Sequence, residues 1–170
     1  MRICRFLILT LGVFVLLSVR QPARGYNVKV NTMVTHLTGD EEGPPRDTKA
    51  QGNAHFEIED DGVSYKLIVA NIHNVVASHI HLGAAGTNGP IVAFLYGNVS
   101  PGGGRIQGVI AEGQITESDL IGPLTGHPLS DLIEAIEAGN IYVNVHTNDG
   151  HGSPNTGPGD FPGGEIRGQL

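Results

Sequence analysis

Short runs in which apolar and polar residues alternate, each closed by glycine, proline, asparagine or aspartate, dominate this chain. Successive side chains leave a strand on opposite sides, so a period of two marks a strand with one face on a core. Residues 27–35 alternate, with Val28, Val30, Thr32 and Val34 expected inward. Residues 53–59 alternate with Ala54, Phe56 and Ile58 inward, and Asp60-Asp61-Gly62 turns the chain into a returning strand at 63–70. Residues 75–82 and 91–96 form the next pair, joined by a glycine loop. Further strands are expected at 106–116, 141–146 and 165–170.

One helix is expected after 129. Ser130 is a suitable N-cap, Leu132, Ile133 and Ile136 make an apolar stripe, and Gly139 stands where a left-handed terminating residue is needed. Residues 117–120 are expected to make a single turn. Seven or eight short strands with one small helix indicate an all-β protein, an antiparallel Greek-key β-sandwich of the immunoglobulin-like or superoxide-dismutase-like kind.

The chain has 170 residues, a size for one domain. Its start has a different character. Arg2 and Arg5 precede a mainly apolar run of 14 residues at 6–19, and Ala23 and Gly25 follow two apart. This is the pattern of a secretory signal peptide over 1–25, cut after Gly25, with the domain at 26–170; an uncleaved anchor is the alternative. The apolar run is short for a membrane span. Cys4, the only cysteine, lies in this segment, so the remainder can form no disulfide. Without Arg2, Arg5, Arg20 and Arg24, six basic residues face 17 acidic ones, a net charge of −11. That argues against nucleic acid and anionic lipid as partners and favours cations.

Three histidines carry the clearest chemistry. In Ser78-His79-Ile80-His81-Leu82, His79 and His81 share the face opposite Ile80. In residues 141–146, Ile141, Val143 and Val145 are expected inward, and Tyr142, Asn144 and His146 outward. Imidazole suits copper and zinc. Two ligands on alternate strand residues and a third from a neighbouring strand would make most of a metal cage. His151 is the expected fourth ligand, with Asp149 and His55 as alternatives and Glu57 as a carboxylate to orient a ring nitrogen. The competing reading is that these are structural histidines with local hydrogen bonds.

His36, His73 and His127 read as solvated, as do Asp40, Glu41 and Glu42. Glu165 and Arg167 read as an exposed pair on the last strand. Asn98-Val99-Ser100 matches a glycosylation acceptor. No phosphate-binding loop, nucleophile elbow or HExxH stretch is present, and no activated nucleophile or acid–base pair is visible. These absences argue against an enzyme.

The runs Ser78-His79-Ile80-His81-Leu82-Gly83 and Asn88-Gly89-Pro90-Ile91-Val92 resemble the N-terminal half of the CHRD domain, named after chordin. Glu112-Gly113-Gln114-Ile115-Thr116, Tyr142-Val143-Asn144-Val145-His146-Thr147 and Gly164-Glu165-Ile166-Arg167-Gly168-Gln169-Leu170 resemble its C-terminal half. The resemblance runs from about Val28 to the last residue. It implies a secreted or cell-surface β-sandwich, in an extracellular or periplasm-like space, with an extracellular protein as a partner class. It implies no activity. The chain departs from the family between His146-Thr147 and Gly164, where a loop carrying Asp149, His151 and Asp160 replaces a short turn. The HxH strand set against a later histidine is also similar to the copper side of copper–zinc superoxide dismutases. A dismutase-like redox enzyme is therefore a third reading, although the zinc-ligand loop of those enzymes has no counterpart here.

Overall fold

The computed structural model describes residues 32–152 and 157–170. The expected signal segment and the start of the first expected strand lie outside them. Eight strands form one antiparallel sheet: β1 (Thr32–Thr38), β2 (Gln51–Ile58), β3 (Val63–His73), β4 (Val75–Leu82), β5 (Ile91–Tyr96), β6 (Arg105–Ile115), β7 (Ile141–Thr147) and β8 (Ile166–Gln169). Their order is β5-β4-β7-β8-β1-β2-β3-β6. The sheet curls until it is nearly closed, so the all-β fold with one short helix is as expected. It divides into two four-stranded halves. They meet where β8 pairs with β1 through Thr38 and Arg167, and Thr35 Oγ1 donates to the Gln169 carbonyl at 2.7 Å.

The alternation reads correctly for most strands. Ala54, Phe56 and Ile58 of β2, Ile80 of β4 and Ile141, Val143 and Val145 of β7 meet in the core between the halves, with Leu37, Leu67, Val92 and Ile166. Each buried branched side chain contributes roughly 1.5–3 kcal/mol of transfer free energy. β1 is the exception. Its inward residues are Thr35 and Leu37, while Val34 is 55 % exposed. The strand also runs on to Thr38, past the expected end. A period of two gives two faces but does not say which one meets the core, and Leu37, at the end of the run, decides it.

The helix α1 (Leu129–Glu137) starts earlier than expected. Pro128, not Ser130, occupies the N-cap and uses no side-chain hydrogen bond. Proline has no N–H to satisfy there, and Leu129 packs against the core as the first helical residue. Leu132 and Ile136 are buried as the stripe predicts, and Gly139 ends the helix at φ +69° with its N–H on the Ile136 carbonyl. Residues Glu117–Asp119 form the expected single turn, where the Asp119 carboxylate accepts from the Thr116 N–H and hydroxyl and is held below its ordinary pKa by those bonds.

Glu42 corrects the reading of residues 40–42 as a solvated acidic face. It is buried, and a side chain at Gly164 would collide with its carboxylate. Burial raises its pKa to about 7, against the opposing pull of Arg167 and Arg46.

Candidate metal centre

The histidines stand on the outer face of the β5-β4-β7-β8 half. His79 lies opposite Asn144 and His81 opposite Tyr142, and His146 lies opposite Ala77, so His79 and His146 are diagonal neighbours across β4 and β7. The strands therefore are adjacent, and the three side chains share the side away from Ile80. That side is not solvated, however. His79 is 6 % and His81 8 % exposed, Tyr142 and Asn144 are buried, and His146 is half-buried.

Two loops cover this face. The 83–90 loop returns over β4 with the Leu82 N–H on the Pro90 carbonyl. A side chain at Gly89 would lie 1.8 Å from the Leu82 carbonyl oxygen, so the approach requires glycine. The 157–164 loop is tied down by Glu165. Its carboxylate accepts from Thr48 Oγ1 at 2.6 Å, Thr147 Oγ1 at 2.6 Å and the Gly159 N–H at 2.9 Å. The expectation of an exposed Glu165–Arg167 pair thus fails: Glu165 is fully buried and Arg167 is 1 % exposed. The Arg167 guanidinium lies 3.4 Å from the centre of the Tyr142 ring, and the His81 ring stacks on the same tyrosine at 4.7 Å and 9°. With β7 between β4 and β8, this makes a stack of imidazole, phenol and guanidinium across three strands.

Each loop also sets the state of one imidazole. His81 Nδ1 lies 2.9 Å from the Gly89 carbonyl and His146 Nδ1 2.8 Å from the Pro162 carbonyl. A carbonyl can only accept, so both Nδ1 atoms carry protons and both Nε2 atoms of the neutral rings present lone pairs. The Nε2 of His146 is 3.0 Å from His79 Nδ1 and 3.0 Å from the Asn144 side chain. The Nε2 of His81 is buried and has no hydrogen-bond partner.

One ligand atom from each of His79, His81 and His146 can be chosen so that all three lie within 4.8 Å of one another. In a tetrahedral zinc site with Zn–N near 2.0–2.1 Å, ligand nitrogens are separated by about 3.3 Å, so the cluster is somewhat wider than a formed site and could hold one ion if the rings drew together. The rings are also held neutral. Burial, then the neighbouring His146 and His81, lowers the His79 pKa to about 4, and burial lowers those of His81 and His146. A neutral imidazole is the form that binds metal, so little proton displacement opposes binding at neutral pH.

The other expected ligands are elsewhere. The His151 ring is 89 % exposed, and its Nδ1 faces the Asp149 carbonyl at 3.0 Å within its own loop. His55 and Glu57 lie on β2, in the other half of the sheet. The inserted segment reaches the cluster through the Pro162 carbonyl instead of through a histidine. Asn144 and Tyr142 are the functional neighbours that ligand-type reasoning passed over, although their even positions in the run ending at His146 already placed them on its face.

A CHRD domain family model matches residues 33–154, about 72 % of the chain. The match takes in all three histidines and stops short of β8. No curated protein and no solved structure matches the chain. CHRD domains occur in extracellular proteins, and among the described residues no helix is long and apolar enough to cross a membrane. From β1 through β7 the matched segment holds the whole HxH strand and its partner, and the chain belongs to the CHRD domain family.

Proposed function

We propose that this CHRD domain binds a transition-metal ion, copper or zinc, through His79, His81 and His146, and that residues 1–25 direct it into an extracellular space. The observation that carries the reading is the buried, unpartnered Nε2 of His81, whose ring clusters with those of His79 and His146. An unsatisfied buried acceptor costs about 1–3 kcal/mol, and a cation held by the three rings would supply its missing partner, taking the place of the His79–His146 contact. Three protein ligands leave a fourth position for solvent or a small molecule, a geometry that fits metal handling or a metal-stabilised surface. Asn144, Tyr142 and the two loop carbonyls hold the rings in place around it.

Thermal unfolding of the metal-free protein, repeated with Zn(II), Cu(II) or Cu(I), tests this. A metal present at 100 times its dissociation constant adds about 2.7 kcal/mol. The expected result is an upward shift with one metal that disappears in the His79→Ala/His81→Ala variant. No shift with any of them would leave the histidines a structural cluster in an extracellular interaction module, the second reading, which the His79–His146 contact and the His81–Tyr142–Arg167 stack would then serve.

A further inference from the structure

Away from the histidine cluster, a groove of about 570 Å³ opens where β3 ends and β6 begins, lined by Asp47, Lys49, Asn71, His73, Arg105 and Pro158. The cations of this acidic chain are distributed unevenly around it. Lys66 pairs with Glu112 at 3.2 Å, Arg46 donates to the Gly164 carbonyl and lies over the Phe161 ring, and Arg167 is buried in its stack. Among the described residues that leaves Lys49 and Arg105. Both are exposed, neither forms an ion pair with a described carboxylate, and both line this one groove.

The groove is held in shape by its backbone. The β3–β6 register shifts between Val69 and Ile72, and inside that bulge Asn71 takes the left-handed conformation at φ 54°. Its Oδ1 accepts from Arg105 Nη2 at 3.5 Å, and Gln107 Oε1 accepts from the same nitrogen at 3.2 Å. Neutral amides thus orient the guanidinium without cancelling its charge. Asn74, also left-handed at φ 53°, donates to the Gly159 carbonyl and accepts from the Gly104 N–H, which fixes the wall that carries Pro158.

We propose that this groove binds a sugar acid, with the ligand carboxylate between Lys49 and Arg105, ring hydroxyls donating to the Asp47 carboxylate and an apolar ring face on Pro158. A cation pair recognises an oxyanion, and a carboxylate beside it accepts from hydroxyls, so the lining suits a molecule that carries both. The volume lies within the roughly 300–1,000 Å³ of small-molecule sites. The lining offers no Phe, Tyr or Trp ring for base stacking; its one aromatic ring is the imidazole of His73.

Calorimetric titration of the purified protein with galacturonate, galactose and inorganic phosphate tests the proposal. Saturable galacturonate binding is expected, with galactose weaker by about tenfold or more. The Lys49→Ala/Arg105→Ala variant should lose about tenfold or more in galacturonate affinity, whereas Lys66→Ala should lose none. No saturable galacturonate binding, equal affinity for galactose, equal affinity in the double variant, or phosphate binding as tightly as galacturonate would each overturn it. The comparison of galacturonate with galactose uses the unaltered protein, so it stands whatever the variants do.

Discussion

The two halves of the sheet begin from the same pattern and end differently. Both alternate apolar and polar residues, and both carry histidines on the face away from the core. On the β1-β2-β3-β6 half that face meets water: Val34, His36, Glu57 and Lys66 are exposed, and His36 makes only a 3.3 Å contact with Asn53. On the β5-β4-β7-β8 half the equivalent face is a second interior holding His79, His81, Tyr142, Asn144 and Arg167. Loops make the difference. Strands β2 and β3 are joined by the tight turn at 59–62, which covers nothing. The 83–90 and 157–164 loops are long enough to fold back. The 39–50 loop joins them, since Gly43 accepts from Asn88 Nδ2, Arg46 donates to Gly164 and Thr48 donates to Glu165. Burial then does the chemistry: it strips the imidazoles of water, lowers their pKa values and leaves lone pairs that water would otherwise satisfy.

Removing the anchor of the cover should break this contrast most completely. Glu165→Ala leaves the buried Thr147 hydroxyl and Gly159 N–H and the half-buried Thr48 hydroxyl without their acceptor, so a loss of about 3 kcal/mol is expected in urea unfolding. Because the same change frees the loop that supplies the Pro162 carbonyl, any metal-induced stabilisation should shrink with it. A variant as stable as the parent would show that the covered face does not depend on Glu165.

Glu42 sharpens the comparison through pH. Its carboxyl titrates near 7 in the fold and near 4.5 when free, so the native state binds more protons between these values. Its contribution to stability is fully present below 4.5 and is lost as pH rises through 7. Glu42→Gln should therefore be more stable than the parent by about 2–3 kcal/mol at pH 8, and within about 0.5 kcal/mol of it at pH 4. Equal stability at pH 8 would mean that the acid is not held neutral under the loops.

The smallest effect belongs to the open face. Lys66→Ala removes an ion pair whose partners are both largely solvated, and a change below about 0.5 kcal/mol is expected in the same unfolding assay. A loss of more than 1 kcal/mol would mean that the open face is more tightly organised than its exposure implies.

Much of this contrast is legible in the sequence alone. Asp60-Asp61-Gly62 marks a hairpin, and the β2–β3 register closes on Ile58 and Val63 at its two sides. The HxH run and the run ending at His146 each name a face, and those faces are shared because β4 pairs with β7. The parity of β1 was not readable, because Val34 and Leu37 are both good core residues and their spacing places them on opposite sides. Nor was the exclusion of His151: a histidine in a loop near the expected cluster is an equally good ligand on composition, and only the path of the chain turns it outward. Glu42, Glu165 and Arg167 are buried against expectation for a related reason, since charged residues beside loops are usually solvated and nothing local announces that a loop will close over them.

The sequence by itself determined the strands, their turns, the terminating Gly139 and the two histidine-bearing faces. Each of these depends on neighbours within a few residues, where periodicity and backbone preference act directly. Tertiary structure alone decided which faces became interior, which nitrogen of His81 and His146 kept its lone pair, and which charged groups lost their water. Those outcomes depend on carbonyls and carboxylates from residues distant in the chain, such as Pro162 for His146 and Glu165 for Thr48. Burial and hydrogen-bond pairing are properties of position in space, so the buried, neutral state of the cluster exists only once the loops are in place.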